Sequence, residues 1–297
     1  MNRKLSIKSA FSLLELSLTI LIVGLLTAAF LGGAGIAGDA KMRYARNLTD
    51  NSPVATMSGL VMWLDTTSER SFIASETKDG SSVSRWNNIS PEASFLNYLG
   101  NNSATLSEHP IYKESCINGL PCLYFNGTAA KIFSPKSLGI RTKYMSAFFV
   151  FTGAENSNGS SYQIFNSDKN AAWDVNSGVF IFTGTAGQNF FYNMPANYGV
   201  QYNICNDAAK LAANKPYIYS VRDDYSNSIF HYVNGALANG TGGNGSIAKS
   251  FGTIEVGSAS YKGNIGEIIL FSRLLTMSEK GAIEQYLSKK WGITTAP

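Results

Sequence analysis

The side chains that usually carry catalysis are few in this chain and are not spaced for it. There are two histidines, His109 and His231, and no G-x-S-x-G pattern marks an activated serine. Glu267 is the one carboxylate in its predicted strand. A retaining glycosidase needs two carboxyl groups about 5–5.5 Å apart. We therefore expect the chain not to be an enzyme, and a membrane-anchored glycan-active enzyme is the least favoured alternative.

Two of the three cysteines are spaced for a disulfide. Cys116 and Cys122 flank an Asn-Gly turn, and a hairpin there brings their Cα atoms within the roughly 4.4–6.8 Å that a disulfide needs. Cys205 is left over as a buried thiol or, less favoured, an intermolecular link. No CxxC pair supports a zinc site.

Tyrosines offer a further candidate for ligand binding. Tyr192, Tyr198 and Tyr202 lie in a stretch rich in Asn and Gly, residues 189–206. Function concentrates on loops, and exposed aromatic rings stack on sugars. The sequence thus permits a ligand loop here. The alternative is that these rings fill a surface layer.

The N-terminal segment predicts a helix that crosses a membrane. A basic leader precedes an uncharged run over residues 16–38. As a helix rising about 1.5 Å per residue, this run matches the roughly 30 Å hydrocarbon core. Basic residues on the N-terminal side favour a cytoplasmic leader with the rest of the chain outside. We expect an inner-membrane protein with a periplasmic or extracellular head, placed at a pilus or cell surface.

Residues 10–16, AFSLLEL, resemble the cleavage signal of type IV prepilins and type II secretion pseudopilins. The resemblance implies that a prepilin peptidase cuts between Ala10 and Phe11 and that the new N-terminus is methylated. It also implies that Glu15, the fifth mature residue, is an assembly contact with neighbouring pilin-like subunits. Ala10 departs from the family's usual glycine. A simple uncleaved anchor is the alternative.

Charge excludes one class of partner. The chain has a formal net charge of +4, and loss of the leader with its three basic residues lowers it to +1. A near-neutral chain lacks the basic surface that binds nucleic acid, so we expect no nucleic-acid partner.

The chain divides into four segments. These are a leader (1–10), a helix that is first apolar and then polar (11–47), a linker (48–57) and one β-sandwich domain (58–297). In the last segment, short apolar runs alternate with turn residues, which is typical of an all-β sandwich. The predicted strands are 60–64, 121–125, 144–151, 162–165, 178–182, 217–222, 228–233, 251–256 and 264–271. Thr276 and Glu279 form a capping box that begins a C-terminal helix, which Gly292 ends.

Several motifs of this domain resemble the laminin-G-like, concanavalin A-like jelly-roll superfamily. They occupy residues 59–65, 83–87, 118–127, 230–235, 263–271, 284–287 and 289–293. The resemblance implies two packed antiparallel sheets of about six or seven strands each. It also raises the possibility of Ca²⁺ at one rim, because such domains often bind it through oxygen ligands. The candidate ligands are first Asp223 and Asp224, which follow a strand, and then Asp65. The favoured alternative is that the two adjacent aspartates form an exposed acidic turn.

The leading hypothesis is a minor pilin or pilin-like surface protein. It assembles through its N-terminal helix and displays a lectin-like domain that binds a glycan or a protein in adhesion or recognition. The alternative is a type II secretion pseudopilin whose head contacts cargo.

Overall fold

The structure is a computed structural model. It describes residues 13–91, 96–153, 162–167, 180–183, 190–196, 199–204, 211–224, 229–238, 249–257 and 261–296. The chain forms two compact units that divide after Arg43. The first contains most of a long helix, and the second contains the last turns of that helix and the β domain.

The long helix, α1, runs over Leu13–Asp50, three residues beyond the expected end at 47. None of the helices that the structure describes combines the length and the apolar character needed to cross a bilayer. This finding overturns the prediction of a transmembrane helix and, with it, the inner-membrane localisation. The sequence of α1 intersperses glycine, alanine, serine and threonine among its aliphatic residues, and its last turns are charged.

The β domain contains eighteen described strands and a second α-helix. The strands are β1 (Leu60–Asp65), β2 (Arg85–Asn87), β3 (Tyr98–Gly100), β4 (Ile111–Ile117), β5 (Leu120–Asn126), β6 (Ile132–Phe133), β7 (Ile140–Thr142), β8 (Met145–Thr152), β9 (Tyr162–Asn166), β10 (Phe180–Thr183), β11 (Phe190–Ala196), β12 (Gly199–Ile204), β13 (Pro216–Asp223), β14 (Ile229–Val233), β15 (Ala236–Ala238), β16 (Lys249–Phe251), β17 (Glu255–Val256) and β18 (Lys262–Phe271). The second helix, α2, spans Met277–Trp291.

Two antiparallel sheets form the sandwich. Sheet I has the order β15-β14-β13-β8-β18-β5-β4, with β1 also paired to β18. Strand β18 is long enough to pair with β5 through its first half and with β1 through its second. Sheet II has the order β12-β11-β10-β9-β17-β6-β3-β2, and β16 and β7 form a small separate pair. The all-β sandwich predicted from the sequence is therefore present.

The central strands of sheet I, such as β1 and β8, are buried on both faces, which explains their long apolar runs. In β8, Phe149 and Phe151 join the core between the sheets, whereas Phe148 and Val150 join a second core under α2. Because side chains alternate along a strand, an apolar residue at every position requires a cover on each side. The second core also contains Ala45 from the last turns of α1.

The predicted capping-box helix is present as α2. Thr276 accepts a hydrogen bond from the Glu279 backbone N–H, and the Glu279 carboxylate accepts one from the Thr276 backbone N–H. Hydrogen bonds from Arg273 lower the pKa of Glu279 to about 2, with help from Thr276. Gly292 ends the helix in the left-handed conformation at φ +62°, as expected of a C-terminal cap.

Candidate functional site

A polar pocket opens where α1 ends beside the loop that follows β1. Its volume is about 320 Å³. We call it the arginine pocket, and its lining residues are all polar: Arg46, Thr49, Asp50, Ser68, Glu69 and Arg70. This size lies at the lower end of the roughly 300–1,000 Å³ typical of small-molecule sites.

Arg46 fixes one wall of the arginine pocket. Its Nη1 lies 2.5 Å from Glu69 Oε1, and its Nε donates to the Thr67 carbonyl at 3.0 Å. The Glu69 side chain remains 75% exposed, so solvent screens this ion pair. Arg46 and Glu69 therefore position each other, and both keep hydrogen-bonding atoms at the surface.

An exposed arginine stacks on a tyrosine next to the pocket. The Arg85 guanidinium lies 3.8 Å from the centre of the Tyr98 ring. Arg85 is on β2, the edge strand of sheet II, and Tyr98 is on the neighbouring strand β3. Arg85 Nε donates to Asn87 Oδ1 at 2.8 Å, and Asn87 Nδ2 donates to the Arg70 carbonyl at 2.9 Å. Two consecutive hydrogen bonds thus join the Arg85–Tyr98 pair to the wall of the arginine pocket.

A buried charge cluster lies behind the pocket. Lys290 Nζ lies 2.7 Å from Asp65 Oδ2 and 2.8 Å from Glu267 Oε2, and all three side chains have no exposed surface. Thr49 connects this cluster to the arginine pocket, because its hydroxyl contacts Asp65 at 2.8 Å and accepts from Lys290 at 2.8 Å. The cluster holds together the end of α1, strands β1 and β18, and α2.

Aromatic donors complete the hydrogen bonding of Glu267. Trp63 Nε1 and the Tyr286 hydroxyl each donate to Oε1 at 2.7 Å, and Trp291 Nε1 donates to Oε2 at 2.8 Å. Burial raises the pKa of Glu267, and the nearby Lys290 acts against that rise. Burial likewise raises the pKa of Tyr286 well above its usual value. Since Glu267 has no access to solvent, its position suits a structural role and not contact with a substrate.

Gly266 makes this arrangement possible. A Cβ atom at this position would lie 2.5 Å from the Trp291 ring. A larger residue would therefore displace the indole from Glu267. The register of β18 against β8 shifts between Ile265 and Glu267, where this glycine lies.

The two cysteines expected to pair are joined by a disulfide. Their Cα atoms lie 6.1 Å apart, and the bridge closes the hairpin of β4 and β5. At the tip of this hairpin, Asn118 Nδ2 donates to the carbonyls of Trp291 and Gly292. The cross-linked hairpin therefore caps the C-terminal end of α2. Cys205 lies outside the described residues.

The candidate calcium ligands do not come together. Asp65 belongs to the buried cluster and accepts from the backbone and hydroxyl of Thr67. Asp223 is at the far end of β13, opposite Met145, and Asp224 follows it. Within the described ranges, no group of three or more His, Cys, Asp or Glu side chains is placed to hold a metal ion.

The remaining predicted residues lie elsewhere. Tyr192 is in β11 opposite Asn203, and Tyr202 is in β12 opposite Asn193, so the described part of the expected loop is a strand pair. Tyr198 lies outside the described residues. In the first unit Glu15 is exposed on α1, whereas Ala10 and Phe11 precede the described residues.

Sequence reasoning missed the arginine pocket entirely. Its residues come from two segments, 46–50 and 68–70, which show no motif. The Arg85–Tyr98 pair was also missed, because β2 and β3 are three-residue strands without visible alternation. The nearest signal was the composition of 85–87, where a buried Trp86 stands between two polar residues.

Comparisons with known proteins support the fold alone. No family model and no curated protein matches the chain. The chain is similar in structure to the botulinum neurotoxin serotype D binding domain, with a TM-score of 0.53 and 15% identity over 79% of this chain. A second structure, the receptor binding domain of botulinum neurotoxin D, gives 0.52 and 14% identity over 76%. This chain spans 52% of each of those chains. The shared feature is the β-sandwich fold.

Proposed function

We propose that the β domain is a glycan-binding module and that its site is the arginine pocket together with the Arg85–Tyr98 pair. One observation carries the proposal. A pocket lined wholly by polar side chains lies two hydrogen bonds from a half-buried aromatic ring at a sheet edge.

The chemistry of this site suits a sugar. Hydroxyl groups of a sugar accept hydrogen bonds from guanidinium donors and donate to carboxylates, and Arg70 and Asp50 supply one of each. The Arg85 guanidinium stacked on the Tyr98 ring forms a flat surface beside the pocket, and we place a second sugar unit there. A pocket of about 320 Å³ has room for a single sugar residue, with the next residue of the chain over that surface.

We propose that binding occurs without turnover. Asp65 and Glu267, two carboxylates that share Lys290, have no exposed surface and so no access to a substrate. At the pocket itself, Glu69 is held by Arg46. The proposed role of the module is adhesion or recognition.

Isothermal titration of the full chain against glycans selected on an array tests this function. Tyr98→Ala and Arg70→Ala are expected to weaken binding at least tenfold, whereas Tyr144→Ala, which removes another exposed tyrosine, leaves it unchanged. Absence of binding to every glycan, or equal binding by all three variants, would contradict the proposal.

A second proposal concerns α1. In the first unit, seven aliphatic side chains near the start of α1 are exposed: Leu13, Leu16, Leu18, Ile20, Leu21, Ile22 and Val23. Exposed apolar surface of this kind marks interaction sites. Together with residues 10–16, this supports a pilin-like protein that assembles with related subunits through the helix. Prepilin peptidase would cut before Phe11, and Glu15 would be the assembly contact. A pseudopilin that contacts secreted cargo is the alternative.

Mass spectrometry of the mature N-terminus tests the second proposal. A chain beginning at methylated Phe11 is expected, and Glu15→Gln is expected to reduce assembly while leaving cleavage intact. An intact Met1 on the protein isolated from cells would refute it.

A further inference from the structure

Two of the three arginines at the proposed site have no carboxylate partner within the site as the structure describes it. Arg46 is paired with Glu69. For Arg70 and Arg85, by contrast, the structure records no ion pair with any carboxylate among the described residues. Both are exposed, and the Asn87 amide, which is neutral, is what links them. Two guanidinium groups are therefore available to an anionic ligand.

One carboxylate in the arginine pocket is also available. Asp50 is the last residue of α1, where the negative end of the helix dipole disfavours a further negative charge. No ion pair with Asp50 is recorded within the described part of the chain. A ligand that places hydroxyl groups near Asp50 would supply the donors that this carboxylate accepts.

We infer that the natural ligand is a carboxylated saccharide, one that carries a carboxylate on a sugar unit otherwise rich in hydroxyl groups. This inference rests on the proposed glycan-binding function. The carboxylate binds Arg70, Arg85 or both, and the hydroxyl groups bind Asp50, Ser68 and the exposed edge of Glu69. Tyr98 supports the Arg85 guanidinium from below and so holds it in place for the ligand.

The geometry favours a carboxylate over a dense sulfated chain. A guanidinium is a planar fork whose two parallel N–H groups match the two oxygens of a carboxylate. Asp50 and Glu69 line the same pocket, so a ligand with several negative charges close together would meet two carboxylates as well as the arginines. A single negative charge surrounded by hydroxyl groups avoids this repulsion.

The test uses the full chain and matched ligands. A glycan array that spans neutral, carboxylated and sulfated saccharides identifies the best carboxylated binder. Isothermal titration then compares that saccharide with its methyl ester, which keeps the shape and removes the charge. We expect the ester to bind roughly tenfold to a hundredfold more weakly, the effect of losing hydrogen bonds to a charged group. Binding of the acid should also weaken as salt is raised.

Three variants locate the contact. Arg70→Gln and Arg85→Gln are expected to weaken binding of the acid by a larger factor than they weaken binding of the ester. Arg141→Gln removes an exposed arginine from β7 and is expected to change neither. Unchanged thermal unfolding shows that each variant folds.

The outcomes separate this inference from the function on which it rests. If neutral sugars bind as well as carboxylated ones, and each arginine variant weakens binding of the acid and of the ester by the same factor, the inference is wrong and the function stands. If the acid is preferred but neither arginine variant weakens it, the assignment to these residues is wrong. If no saccharide binds, the proposed function itself fails.

Discussion

Lys290→Met removes a buried cation that faces two buried carboxylates. Nζ lies within 2.8 Å of an oxygen of both Asp65 and Glu267, and it also donates to Thr49 and to the Tyr286 hydroxyl. Methionine has a similar volume and leaves no large cavity. The variant therefore tests the charge of the cluster and not its packing.

The expected loss is about 3–5 kcal/mol in the free energy of unfolding at pH 7. Removing one partner of a buried ion pair leaves an uncompensated charge and costs about this amount. A domain of this kind has only about 5–15 kcal/mol of stability in total. The variant should thus unfold at a clearly lower urea concentration and a lower temperature.

The pH dependence of this loss gives a second readout. Burial raises the pKa of Glu267, and Lys290 acts against that rise, so the variant should raise it further. A carboxyl group whose pKa is higher in the folded than in the unfolded state makes its full contribution to stability below the unfolded pKa, where it is protonated in both states. That contribution is lost as pH rises through the folded pKa, because the buried group must then carry a charge. The difference in stability between wild type and variant should therefore shrink between pH 7 and pH 4.

Urea unfolding followed by tryptophan fluorescence measures both effects, because Trp63 and Trp291 donate to Glu267. Lys289→Met is the matched control, since Lys289 is the exposed neighbour on α2 and should change stability by less than about 0.5 kcal/mol. The double variant Lys290→Met/Glu267→Gln should recover part of the loss. Equal losses for the two single lysine variants would refute the reasoning.

Three further predictions concern the same domain. Burial lowers the pKa of His231 to about 4, so below pH 6.5 the protein takes up a proton when it unfolds. The free energy of unfolding should therefore fall by up to about 3 kcal/mol as pH decreases from 6.5 to 4. Urea unfolding at several pH values should show this loss, and His231→Gln should lack it. Gly266→Ala should cost about 1–3 kcal/mol and alter the near-UV circular dichroism, because its Cβ would meet the Trp291 ring. Reducing the Cys116–Cys122 disulfide should lower stability by roughly 2 kcal/mol in urea unfolding, because the loop it closes is short.

Each of these predictions has an internal control. His109→Gln should keep the acid dependence that His231→Gln loses, and the reverse result would contradict the assignment. Gly281→Ala, in α2 with open space around its Cβ position, should be neutral or stabilising. A reductant should leave a Cys116→Ser/Cys122→Ser variant unaffected, and an equal effect on that variant would show that the bridge was not the cause.

The elements of the β domain were predictable where local chemistry fixes them. The Asn118-Gly119 and Asn234-Gly235 turns have positive φ at both residues, as type I′ hairpins require. The capping box of α2 was predictable from the sequence because its two partners are three residues apart. Strands β2, β3, β6, β7 and β15 were missed, because two or three residues are too few to show alternation. The longer strands β4, β11 and β12 were missed as well.

The membrane prediction rested on the absence of charge over residues 16–38, whereas no helix in the described part of the chain combines the length and the apolar character of a span. Counting charges over residues 16–38 indicated a span, but the helix contains many small and hydroxyl-bearing residues. It also continues without a break into charged turns, the last of which pack on the β domain through Ala45 and Thr49. Charge counting carries no information about where a helix ends.

By itself, the sequence determined the all-β class, the tight turns, the C-terminal helix and its caps, since each depends on residues close together in the chain. The tertiary structure alone decided which charged and pocket-lining side chains meet. The buried charge cluster joins residues that are distant in sequence: Thr49, Asp65, Glu267 and Lys290. They become neighbours because α1, β1, β18 and α2 pack together. The arginine pocket arises in the same way, from the end of a helix and a loop that only the fold brings side by side.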